Sequence, residues 1–176
     1  MQFHPTMLHD VWTVHLEPTG DSRGFFARTF CVDEFAAHGL EANYPQHSIS
    51  FSVRSGTLRG MHYQREPHSE VKLVRCVKGA IWDVVIDIRP GSPTYRQWQA
   101  FELSSTSGRQ LYIPKGFAHG FQTLTNDVEV NYLISEPYAP QSANGIRYDD
   151  PAFGIGWPLA VTEISEKDLH WPNFAA

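Results

Sequence analysis

The sequence predicts an all-β protein, a sandwich or barrel of short strands, and three observations predict it. Runs of β-branched, aromatic and aliphatic residues recur along the chain, each cut off by Gly, Pro, Asn or Ser. Aromatic residues reach 13%, a share that suits pleated surfaces. Helix signals are confined to "VDEFAAHGL" at 32–40 and a short turn after Ser165. Many short strands with little helix leave sandwich or barrel as the architecture.

The strands follow in order. Residues 11–17 and 23–30 are the first two, and Gly39 then caps the helix that begins at Val32. Residues 46–53 and 57–64 are polar–apolar alternations. "KLVRCVKGAIWDVVIDI" reads as two strands, 71–77 and 80–88, folded back at Lys78–Gly79. The remaining strands are 97–103, 110–113, 117–124 and 128–135. The Pro-rich segment from Tyr148 onward is expected to wrap the β body. A length of 176 residues suffices for one domain with a real core, so a single domain over 1–176 is expected.

Alternate side chains of a strand share a face. Gln46, Ser48, Ser50 and Ser52 align opposite His47, Ile49, Phe51 and Val53. Lys72, Val74 and Cys76 align. Trp82, Val84, Ile86 and Ile88 form an apolar face opposite Asp83, Val85 and Asp87. Phe117, His119, Phe121 and Thr123 align, as do Val128, Val130, Tyr132 and Ile134. Several strands therefore pair one apolar face with one mixed face. Either the mixed faces line a cavity between sheets, or they face water as in any antiparallel sheet.

The net charge of −5 argues against nucleic acid as a partner, because phosphate backbones call for a basic face. A small anionic ligand needs only a few placed cations. Cys31 and Cys76 are too few for a disulfide framework or a zinc site, and reduced thiols fit a cytoplasmic location. "MQFHPTMLHD" lacks a basic start followed by an apolar run, so no signal peptide is expected. No stretch approaches the apolar length of a membrane span.

Two histidines stand in suggestive strands, His62 in "LRGMHYQ" and His119 in "PKGFAHGF". This placement resembles the cupins. Metal-binding cupins offer His-x-His, a Glu and a further His, but here the position two after His62 is Gln64, a poor ligand for a transition metal. No metal and no other cofactor is expected.

With these residues in hand, the chain resembles the dTDP-4-dehydrorhamnose 3,5-epimerase family, a metal-free cupin branch. The motifs are "DSRGFF" (21–26), "LRGMHYQ" (58–64), "KLVRCVKGAIWDVVIDIRPGSPTYRQW" (72–98), "LYIPKGFAHGFQTL" (111–124), "WP" (157–158) and "SEKD" (165–168). The resemblance implies a cupin-type jelly-roll barrel, a homodimer, and cofactor-free inversion of C3, C5 or both in a nucleotide-linked 4-keto-6-deoxy sugar. It implies His62 as general base, Asp168 as its dyad partner, Tyr132 as the opposing acid and Lys72 beside the C4 oxygen. It implies Arg23 and Arg59 as pyrophosphate or sugar contacts. Gln46, Asp83, His119 and Tyr138 match the family's pocket positions. Arg28 stands where many members carry Glu, so dTDP is the default nucleotide that the resemblance implies, with CDP and GDP open.

The chemistry explains these residue types. Inverting a carbon beside a ketone removes a weakly acidic proton and returns one to the other face, so a base and an acid must flank the ring. Neutral imidazole, with an ordinary pKa of roughly 6.5, suits the base, and a carboxylate on its far nitrogen fixes the tautomer. A phenol, with an ordinary pKa of about 10, holds its proton until an enolate takes it. An ammonium at the enolate oxygen stabilises developing charge more than it stabilises the ketone.

Each assignment has a plainer counterpart. Lys72 alone reads as a solvated strand lysine and Tyr132 as core. Asp168 with Ser165 reads as a capping box. Asp83 and Asp87 could pair with Arg75 or Arg89. Two other functions stay open: a metal-dependent cupin oxygenase or isomerase, and a non-catalytic carbohydrate-binding cupin.

Overall fold

The computed structural model describes residues 1–175. Two antiparallel sheets pack face to face. The strands of the first are β1 (Gln2–Pro5), β2 (Trp12–His15), β10 (Arg109–Ile113), β7 (Lys72–Lys78), β12 (Val128–Ile134) and β5 (Gln46–Ser52), in that order across the sheet. The second runs β13 (Ala143–Gly145), β6 (Thr57–Gln64), β11 (Phe117–Thr123), β8 (Ala80–Asp87) and β9 (Trp98–Ser104). A short β14 (Glu163–Ile164) joins β6 in parallel. A hairpin of β3 (Thr19–Asp21) and β4 (Gly24–Phe26) stands apart. The arrangement is a cupin-like jelly roll with two short helices, α1 (Val32–Ala37) and α2 (Glu166–Leu169).

The alternation pattern resolves in favour of the cavity. Val74, Cys76, Val128 and Val130 of the first sheet meet Ile81, Val85, Phe117 and Phe121 of the second in one core. The faces with mixed chemistry therefore point inward. The apolar face of β8 points outward instead: Val84 and Ile86 lie beneath Ile146 and Phe153 of the C-terminal segment, which wraps the body as expected. Both faces of β8 are thus buried.

Helix α1 shields the other side of the first sheet. Phe35, fully buried, packs on Val14, Leu73 and Tyr112, a burial that contributes about 2–3 kcal/mol. The helix ends as expected at Gly39, whose φ of +69° suits glycine. The Leu40 N–H reaches the Phe35 carbonyl and the Gly39 N–H reaches that of Ala36, the paired bonds of a Schellman ending.

The expectations differ from the structure at several edges. The expected strand 23–30 is extended only at Gly24–Phe26, because "GDSRG" folds it back on 19–21 and Phe30 turns in to pack on Phe35. Strands β1, β3, β13 and β14 lack a strong apolar alternation and are held by their neighbours' ladders.

Candidate active site

A cavity of about 760 Å³ opens between the sheets. From the first sheet it is lined by Gln46, Ser50, Lys72 and Tyr132, and from the second by Arg59, His62 and His119. Asp168 and Trp171 close it from the C-terminal segment.

Strict alternation would place Arg59 and His62, three apart, on opposite faces of β6. The ladder shows how both face inward. His119 pairs with His62 but Phe121 pairs with Arg59, so β6 carries one extra residue there. Gly60 supplies the backbone, at a φ of +145° and against Gly120 of β11, where a Cβ would collide. The glycine after Arg59 is the sequence signal for this bulge.

His62 Nε2 lies 2.6 Å from Asp168 Oδ1. With Nε2–H directed at the carboxylate, Nδ1 is left as the basic nitrogen. Asp168 also accepts from the Gly60 N–H at Oδ2 and from the Trp171 indole N–H at Oδ1, each at 3.2 Å. Burial opposes ionisation of this carboxyl. The hydrogen bond and charge of His62, with Gly60 and Trp171, outweigh it and hold the pKa below the usual aspartate value. The capping reading of "SEKD" is half right: Ser165 Oγ accepts from the Asp168 N–H and caps α2. The Asp168 side chain is spent on His62 instead.

Tyr132 comes from the opposite sheet. Its hydroxyl is 3.0 Å from Ser50 Oγ, and burial pushes its pKa up, against the pull of that bond. Lys72 belongs to the neighbouring strand, two pairs along and so on the same face: Val74 faces Tyr132 and Lys72 faces Ile134. Its Nζ is 2.8 Å from Glu70 Oε1, both side chains being nearly buried. Behind them, Asp83 and His119 form a second imidazole–carboxylate pair, with His119 Nε2 at 3.0 and 2.9 Å from the two carboxylate oxygens. Burial raises the Asp83 pKa, opposed by His119 and Lys72. Asp83 thus pairs with neither Arg75 nor Arg89, whereas Asp87 does bind Arg89, at 2.8 Å.

Arg59 donates to Ser52 Oγ and to the Phe51 carbonyl at the cavity mouth. Gln46 Oε1 accepts from the Tyr138 N–H at 3.0 Å, and both residues line the cavity. Arg23 does not: it sits on the β3–β4 hairpin, 87% exposed, bound to Asp21. Arg28 is likewise outside, paired with Glu34 at 3.1 Å. Gln64 ties loops together, donating to the His68 and Pro137 carbonyls and accepting from the Ala139 N–H. Among the described residues no group of three or more His, Cys, Asp or Glu is placed to hold a metal ion. Sequence reasoning missed Glu70 and Trp171. A lone Glu beside "VKLV" and a Trp in an irregular tail carry no pattern of their own.

Comparison with known proteins matches this architecture. The model of the dTDP-4-dehydrorhamnose 3,5-epimerase family matches residues 5–176. A dTDP-4-dehydrorhamnose 3,5-epimerase of Sinorhizobium fredii is 41% identical, over 98% of this chain and 89% of its own. A dTDP-4-dehydrorhamnose 3-epimerase of Streptomyces niveus is 37% identical, over 96% of this chain and 81% of its own. The crystal structure of the 3,5-epimerase from Bacillus anthracis with TDP and PPi bound superimposes with a TM-score of 0.95 at 35% identity, covering 98% of this chain and 99% of its own. The Legionella pneumophila epimerase in complex with dTDP-4-keto-L-rhamnose gives 0.92 at 36%, covering 98% and 92%. These relatives do not favour a metal-dependent oxygenase or a non-catalytic binder. A jelly roll with these motifs, matched almost end to end, places the chain in the dTDP-4-dehydrorhamnose 3,5-epimerase family.

Proposed function

We propose that the protein inverts C3 and C5 of dTDP-4-dehydro-6-deoxyglucose, giving dTDP-4-dehydrorhamnose through an enolate and without a cofactor. One observation carries the reading: a carboxylate-backed imidazole on one sheet and a buried phenol on the other line a single cavity that also holds an ammonium. His62 Nδ1 removes the proton beside the C4 ketone, and Asp168 stabilises the imidazolium. Lys72, fixed by Glu70, meets the negative charge that gathers on the C4 oxygen. Tyr132 returns a proton from the opposite face. Arg59 offers a fork at the mouth for the diphosphate, and Gln46 with Tyr138 borders the sugar end. Asp83 and His119 support the floor of the cavity. TDP in a relative's crystal structure supports thymine as the base.

The experiment is exchange in deuterated water. Two deuterons, at C3 and C5, are expected in the product. Absence of exchange with dTDP-, CDP- and GDP-linked substrates alike would remove the reading. A single deuteron at C3 would establish the second reading, a 3-epimerase, which the Streptomyces niveus relative favours.

The working form in this reading is a homodimer. Strand β5 is an edge of the first sheet and presents Ile49 and Phe51 to solvent, with Val53 exposed just beyond it. The β3–β4 hairpin likewise exposes Phe25 and Phe26, at 70% and 79%. An apolar edge of this kind calls for cover, and pairing with a second copy supplies it. Sedimentation of the protein at micromolar concentration tests it, with a monomer as the refuting result. The reading places the enzyme in the cytoplasm, in keeping with the free thiols of Cys31 and Cys76. Among the described residues no helix is long and apolar enough to cross a membrane.

A further inference from the structure

Asp168 is bound from more sides than a dyad partner requires. Oδ1 accepts from His62 at 2.6 Å and from Trp171 at 3.2 Å, while Oδ2 accepts from Gly60. The indole that makes the extra bond is itself held. It lies on Gly145, where any Cβ would collide with the ring, and Gly145 is the ladder partner of His62. Lys167 Nζ lies over the ring, 5.2 Å from its centroid, and the His62 ring meets it edge-on, at 6.3 Å between centroids. So Trp171 is locked to the same strand pair that presents the base.

We propose that Trp171 is a positioning residue of the dyad: its indole N–H shares Asp168 Oδ1 with the His62 imidazole and thereby sets the pH at which the base becomes available. The inference rests on the proposed function for its catalytic meaning. An N–H on Oδ1 draws negative charge from the oxygen that faces the imidazole. Without it, the carboxylate favours the imidazolium more strongly, and a higher pH is needed to free the base. Several other charged groups around the cavity that His62 lines form pairs of their own: Lys72 with Glu70 on the β7 side, His119 with Asp83 on β11 and β8, Glu163 with Arg54 on β14, and Glu136 with His68 beyond β12. Arg59, Tyr132 and Lys167 complete the surroundings. None of these residues is replaced in the test, and benzothienylalanine keeps an aromatic ring under Lys167.

The test replaces Trp171 with benzothienylalanine, which keeps the shape and exchanges the N–H for sulfur, and compares Trp171→Phe. The titration of the His62 ring is followed by NMR, alongside the acid limb of kcat/KM. Both midpoints are expected to rise by roughly half to one pH unit in both variants. In the unmodified protein, the Trp171 indole N–H resonance is expected to move with the same midpoint as the His62 ring. An unshifted midpoint in the benzothienylalanine protein would reduce Trp171 to packing and overturn the proposal, whether or not the Phe variant shifts. An indole resonance indifferent to the His62 titration would overturn it without any variant. A shifted NMR midpoint in protein with no epimerase activity would instead spare this inference and fail the proposed function.

Discussion

The molecule contains the same chemical pair twice, an imidazole against an aspartate, in two settings. His62 is 42% exposed at its side chain and opens on the cavity, whereas His119 is 6% exposed with Asp83 entirely sealed. Asp168 receives three donors and its pKa is lowered; Asp83 receives one imidazole and its pKa is raised by burial. The chemistry of a pair is therefore decided less by its residue types than by how many donors its carboxylate gains for the water it loses. The open pair is suited to take up and release a proton. The sealed pair is suited to hold the floor on which Lys72 and Tyr132 stand.

Substitutions can break this contrast. The largest effect is expected from His62→Ala, a loss of about 10²–10⁴-fold in kcat with deuterium wash-in slowed by a like factor, because the proposed general base is removed. Wash-in persisting at the native rate would move the base elsewhere. His119→Ala should instead act on stability. Leaving the Asp83 charge buried and unpaired costs about 3–5 kcal/mol, read as a lowered midpoint in urea. If its melting matches that of His62→Ala, the two pairs are not the distinct devices described. Tyr132→Phe should slow net inversion by about 10²-fold while slowing the first proton loss less, as seen by exchange at early times. Equal slowing of both steps would assign Tyr132 to the base side.

The smallest effects concern pH and carry opposite signs. Asp168 has its folded pKa below 3.8, so its contribution to stability is complete above pH 3.8 and fades as pH falls through the lower folded value. Asp168→Asn should flatten the acid limb of the stability curve. Asp83 has its folded pKa above 3.8, so its ionisation works against the fold as pH rises from 3.8 through the raised value. Relative to Asp83→Asn, the unmodified protein should lose stability over that rise. Chemical denaturation across pH 3–7 compares both.

Much of this was legible in the residues because the relevant patterns are local. Period-two alternation identified most of the strands and grouped Lys72, His119 and Tyr132 with their face-mates, but left open whether those faces met a cavity or water. Gly39 marked the helix end. The pairing of Asp83 was not legible, because nearby Arg75 and Arg89 offered partners of the right charge while His119 lies 36 residues away. Arg59 and His62 could share the cavity only through a bulge, which alternation denies and Gly60 merely hints at. Arg23 lies in a motif yet falls outside the protomer's cavity, because a motif records neighbours in the chain and not the direction in which a hairpin projects.

The dyad spans 106 positions of sequence, and its carboxylate arrives on a segment that docks against an already paired β6. A nascent chain could therefore form both sheets, all but β14, and still be inert until residues 163–171 had left the ribosome and settled. Competence to turn over substrate would mark the docking of this segment, not the formation of the barrel.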